Sequence, residues 1–154
     1  MLSRAQANHF TERNYEQAQF DSDTTCCWRK LSHAKRYHEA AVLITDYIDN
    51  SPNVDNKHAL NWHAGQMFAL ANEAKPAIKY FKKTYTIFYK WFGGEDGRAW
   101  YYYAKGTVAF VKRDKPALQK IINRWSKTLP PDLNSKMLNQ MFDNWDKSYE
   151  EVTK

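Results

Sequence analysis

Apolar residues along this chain recur at steps of three and four in nearly every segment, and strand-like alternation is hard to find, so the pattern predicts an all-α protein. The clearest stretch is 75–92. There Ile78, Phe81, Tyr85, Phe88 and Phe92 fall on one arc of a helix, and Lys75, Lys79, Lys82, Lys83 and Lys90 fall on the opposite arc. Read as one helix, with Pro76 in the first turn where a missing N–H costs nothing, it turns the aromatic arc to a core and the lysine arc to water. Helices are also predicted over 36–49, 57–72, 98–112 and 115–127, the last with Pro116 just inside its start. The polar stretch 2–20 reads as a further helix, followed by Asp21, Ser22 and Asp23 as capping residues for a segment that ends near Ala34. A final helix, from Asp132 or Leu133 to about Glu151, carries Leu133, Met137, Leu138, Met141, Phe142 and Trp145 at helical spacing and would cap the stack. Turn chemistry interrupts the pattern at 50–56, at Gly93-Gly94-Glu95-Asp96-Gly97 and at Pro130-Pro131. Within 98–112, Trp100, Tyr101, Tyr102, Tyr103, Val108, Phe110 and Val111 cover most of the circumference, which places that helix between neighbours.

An offset of 40 residues lays Lys75-Pro76-Ala77-Ile78 on Lys115-Pro116-Ala117-Leu118, and Ala69 on Ala109. In both copies a helix ends, a tight turn follows, and proline opens a second helix whose small alanine allows close approach. The middle copy sets Gly65, Phe68, Ala77 and Phe81 at recurring spacings, with Trp62 nearby. A later copy keeps Val108, Ala117 and Ile121 with Gly106 displaced by one, and a weaker early copy uses Leu31, Ala40, Ile44 and Pro52. On these residues, over about 21–130, the chain resembles the tetratricopeptide repeat (TPR) family. The resemblance implies stacked antiparallel helical hairpins in an α-α superhelix with a C-terminal capping helix, forming a single domain over 1–154. Ala40, Ala77 and Ala117 stand 37 and 40 apart, against a family repeat of about 34, so longer loops between hairpins are expected. The resemblance also implies a groove lined by the first helix of each hairpin, with Arg29, His33, Trp62, Gln66 and Tyr102 at the groove positions. Trp62 and Tyr102 fit a core role equally well.

Composition changes this picture at two points. An aromatic content of 16% and a hydrophobic content of 43% describe a chain that folds. The net charge of +6 is unevenly spread: between Lys75 and Lys127 there are 13 Lys and Arg against three acids, Glu95, Asp96 and Asp114. That basic segment suits an acidic partner or a polyanion. Neither a signal-peptide core nor a membrane-length apolar run is present, which leads to the expectation of a cytoplasmic protein with no membrane partner. The two cysteines, Cys26 and Cys27, are adjacent, poor geometry for an ordinary structural disulfide, so one thiol is expected to pack inward.

Catalysis finds little support in the residues. The pairs His33/His38 and His58/His63 are five apart, off the i, i+4 step that aims two metal ligands from one helix face. The glycine cluster at 93–97 lacks the Lys-Ser/Thr of a phosphate loop. No cofactor, no metal and no enzymatic activity are expected. The sequence therefore points to a non-catalytic protein-protein interaction module, an adaptor or scaffold holding a peptide or partner protein in the groove. Two alternatives stand beside it: nucleic-acid or polyanion binding through a Lys79, Lys82, Lys83 and Lys90 face, and a dedicated inhibitor or immunity-type protein. Trp91, Trp125, Trp145 and Tyr149, if left uncovered, would support a homodimer.

Overall fold

The computed structural model describes residues 16–51 and 54–154, and every regular element among them is an α-helix. In chain order these are α1 (Gln17–Ser22), α2 (Cys27–His33), α3 (Tyr37–Asn50), α4 (Lys57–Leu70), α5 (Ala74–Lys82), α6 (Ile87–Phe92), α7 (Gly94–Val111), α8 (Lys115–Thr128), α9 (Leu133–Asp143) and α10 (Tyr149–Thr153). The chain divides into two compact units, Met1–Tyr80 and Phe81–Lys154, with the division inside α5. Most of the expected helix over 2–20, and Pro52, lie outside the described residues.

In the first unit α2 packs on α1 and on α3, and α3 packs on α4. Small residues make the last contact close: Ala40, Ala41 and Ala64 are fully buried beside Ile44 and Leu60. Phe20 stacks flat on Tyr47 at 4.0 Å, which seats α1 on α3. Gln17 fastens α1 to the head of α4. Its Nε2 donates to the Asn56 carbonyl at 2.9 Å and its Oε1 accepts from the Asn56 N–H at 2.7 Å. Asn56 in turn caps α4, its side chain accepting from the Ala59 N–H.

In the second unit α7 is central, packed against α6, α8 and α9, as its all-round apolar surface predicts. Gly106 is what allows the approach of α9: a Cβ there would lie 2.6 Å from a methyl of the fully buried Leu138. Asp114 caps α8 with Pro116 in the first turn, and a reciprocal Asp132–Ser135 capping box starts α9.

One turn is used three times. After α2, α4 and α7 the chain passes through a left-handed residue, Lys35 (φ 57°), Asn72 (φ 59°) and Arg113 (φ 60°). The following N–H then reaches back five residues: Arg36 to Leu31, Glu73 to Phe68, Asp114 to Ala109, at 2.8–2.9 Å. This is the Schellman closure, which satisfies carbonyls that the helix end leaves open. The turn suggested by the sequence repeat is therefore present three times, between α2 and α3, α4 and α5, and α7 and α8, with the same hydrogen bonds.

Five expectations need correction. The helix over 75–92 is two helices: α5 stops at Lys82, residues 83–86 turn, and α6 begins at Ile87. Thr84, Thr86 and Ile87 are β-branched and poor at continuing a helix. The Thr84 hydroxyl bonds back to the Phe81 carbonyl, and the Thr84 carbonyl is taken by Trp100 Nε1 at 2.7 Å. The turn expected over 93–97 shrinks to a corner at Gly93, and the helix expected from Arg98 starts at Gly94. Gly94 (φ 63°) opens α7 at once, and Glu95 and Asp96 fill its first turn, where the helix dipole favours carboxylates. The last helix ends at Asp143 and restarts as α10, because Arg113 draws the Trp145 and Lys147 carbonyls outward and Ser148 with Glu151 caps the new start. Asp21 and Ser22 close α1 instead of capping α2, whose N-cap is Cys26; Asp23 binds the N–H and hydroxyl of Thr25. The cysteines also differ from expectation, being joined to each other in a disulfide with Cys27 buried.

Candidate functional site

The residues assigned to a groove end up in three different situations. Arg29 and Gln66 join one polar network in the first unit. The Arg29 guanidinium lies over the Trp28 ring at 4.3 Å, donates from Nε to the Asp21 carbonyl, and is 3.6 Å from Asp21 Oδ1. His63 lies tilted against the same Trp28 at 5.0 Å, with Nε2 3.5 Å from Asp21 Oδ1 and Nδ1 3.2 Å from Gln66 Oε1. The sequence marks Asp21 as a cap and His63 as one of a histidine pair, and assigns neither them nor Trp28 to the groove; the five residues are brought together by the packing of α1, α2 and α4. His33 is exposed at the end of α2. Trp62 is buried in the first unit at 8% exposure, and Tyr102 is buried in the second at 5%. The rings chosen for peptide contact are core rings.

The open aromatic surface lies elsewhere. On α6, Ile87 is 50% exposed, Phe88 68%, Trp91 68% and Phe92 81%, and the helix buries no residue at all. Phe88 and Phe92 were expected on the core arc. Breaking the helix at 83–86 releases them, and they stack on each other at 6.1 Å. The corner that follows pins α6 to α7. A Cβ on Gly93 or Gly97 would lie 2.6 or 2.7 Å from the Tyr89 carbonyl oxygen, backbone that cannot yield. Of the four rings proposed as an uncovered patch, only Trp91 is open: Trp125 and Tyr149 are buried, and Trp145 is half-buried beside Phe110.

Beside α6 runs a cleft of about 370 Å³ lined by Lys90 and Trp91 from α6, Arg98 and Tyr102 from α7, and Arg124 and Thr128 from α8. No carboxylate lines it, and Lys90, Arg98 and Arg124 form no ion pair with a described residue. Lys90 sits 5.0 Å from the Trp91 ring. Arg124 also borders a shallower hollow along α8, of about 500 Å³, with Lys120 and Lys127. Of the lysine face expected on a single helix, Lys79 and Lys82 lie on α5, Lys83 in the turn and Lys90 on α6. The positive charge instead gathers around the α6–α8 cleft. Counted by unit, Met1–Tyr80 has nine Lys and Arg against nine acids, whereas Phe81–Lys154 has fourteen against eight and so carries the entire net charge.

Among the described residues no group of three His, Cys, Asp or Glu could hold a metal, and no helix is long and apolar enough to cross a membrane. The chain matches no protein-family model, no curated protein and no solved structure.

Proposed function

We propose that the chain is a non-catalytic protein-protein interaction module, an adaptor built from helical hairpins of the TPR-like kind, and that it docks its partner protein on the α6 face. The exposure of α6 carries this reading. Large contiguous apolar surface is rare on a folded chain unless something covers it, and aromatic rings beside arginine are the residues that dominate protein contact. Most of the α6 ring surface faces water rather than the core, so little of it contributes to folding. The thrice-repeated turn supports the hairpin reading. Burial of Trp62 and Tyr102 moves the proposed contact from the first helices of the hairpins to α6.

The test is a double variant, Phe88→Ser/Phe92→Ser. Both side chains are exposed, so its thermal unfolding should match the wild type, since surface changes cost within about 0.5 kcal/mol. Immobilised wild type should retain a protein from its source lysate after nuclease treatment, and the variant should not. Equal retention by both would remove α6 from the reading. The cations lining the cleft, Lys90, Arg98 and Arg124, favour a second reading, polyanion binding, which predicts retention that nuclease abolishes.

A further inference from the structure

We infer that the partner segment is acidic and amphipathic: its apolar side chains cover Phe88, Trp91 and Phe92 while its carboxylates enter the cleft between Lys90, Arg98 and Arg124. The inference rests on the reading of α6 as a protein-docking face and adds the chemistry of the occupant. Two requirements meet at one place. Rings open to solvent ask for apolar cover. Three cations that form no ion pair with a described residue, lining one cleft with no carboxylate among its lining residues, ask for anions. Trp91 belongs to both surfaces, so a single short segment with alternating apolar and acidic side chains reaches both.

Other occupants fit less well. A second copy would bring this face against itself, setting Lys90, Arg98 and Arg124 against the same cations, with only Glu95 and Asp96 nearby on α7 to answer them. Single-stranded nucleic acid needs ring faces free for base stacking. Here Phe88 and Phe92 each give one face to the other, and Lys90 covers one side of Trp91. Glu95 and Asp96, exposed at the head of α7, would also repel a phosphate track.

The experiment is selection of random peptides of about a dozen residues, displayed on phage, against the immobilised full chain at low salt. Recovered peptides are then titrated by fluorescence anisotropy against wild type, Phe88→Ser/Phe92→Ser and Arg98→Glu/Arg124→Glu, with Arg98→Gln/Arg124→Gln as a milder second pair and circular dichroism to confirm folding. A thymidine oligonucleotide is titrated in parallel. The expected result is enrichment of Asp and Glu interspersed with Leu, Phe or Trp, affinity lost in the serine variant, and affinity lowered about tenfold or more by charge reversal and less by the glutamines. Peptides that depend on Phe88 and Phe92 but carry no acidic bias would overturn the inference and leave α6 as the docking face. Peptides indifferent to the serine variant, or no peptides at all, would overturn both. Oligonucleotide binding that the arginine variants abolish, without peptide binding, would assign the cleft to nucleic acid.

Discussion

Lys35, Asn72 and Arg113 occupy the same left-handed position in three turns, yet they do not contribute equally. A left-handed conformation costs an ordinary L-residue about 1–2 kcal/mol, and asparagine tolerates it best. Asn72→Gly should therefore change stability little, within about 0.5 kcal/mol. Arg113 does more than turn the chain: its guanidinium donates to the Trp145 carbonyl at 2.6 Å and the Lys147 carbonyl at 2.8 Å and packs over Phe110 at 4.8 Å. Arg113→Gly should lower stability by about 1–3 kcal/mol in urea unfolding despite the easier backbone, since charge-assisted bonds are lost. Asp46 shows the opposite balance. Burial, and then the charge of Asp49, hold its carboxyl above the ordinary carboxylate range. A raised folded pKa means the protonated form is favoured by folding, so stability falls as pH rises through that range. Asp46→Asn should stabilise slightly at neutral pH, by less than about 0.5 kcal/mol because the group is only partly buried, and the gain should vanish in acid. Equal effects at both pH values would place the cause elsewhere.

Among the elements, the helices over 37–50 and 57–70 are legible in the sequence from their apolar period, and the helix over 115–128 because period, the Asp114 cap and first-turn Pro116 agree. The junction of α5 and α6 is not. Phe88 and Phe92 stay in phase with Ile78, Phe81 and Tyr85, and phase says only that side chains share an arc, not that anything covers the arc. The signal for the break was the run Thr84, Tyr85, Thr86 and Ile87, whose branched side chains outweighed the period. The candidate site suffers from the same gap. Lys90 and Tyr102 were named from the sequence and do line the cleft, but Arg98 and Arg124 become neighbours only through the packing of α7 on α8. Two measurements follow at this scale. Native-state hydrogen exchange should find α6 close to unprotected and the core of α7 slowest in its unit, because α6 buries nothing while α7 is enclosed by three helices. Gly106→Val should destabilise by about 1–3 kcal/mol, since Leu138 is fully buried and has no room to retreat; an unchanged melting temperature would mean that α9 can shift away.

For the molecule as a whole, charge and apolar exposure fall in the same unit and oppose each other. Net positive charge in Phe81–Lys154 opposes association of copies, whereas open rings on α6 would favour it. The Debye length falls from about 30 Å at 0.01 M salt to about 3 Å at 1 M, so light scattering should give a monomer mass at low salt and a rising mass as salt increases. A dimer already present at low salt would show that the repulsion is not controlling.

The six positions of α6 also bear on how such a chain changes over generations. Because none of them is buried, a mutation at Ile87, Phe88, Trp91 or Phe92 alters what the surface accepts without endangering the fold, whereas Gly93, Gly97 and Trp100 hold the platform and tolerate little. Selection acting on partner choice can therefore explore 87–92 freely. Descendants of one ancestor should diverge fastest there while the corner beside it stays constant, and a mutational scan read out by folding alone should find 87–92 permissive and 93, 97 and 100 intolerant.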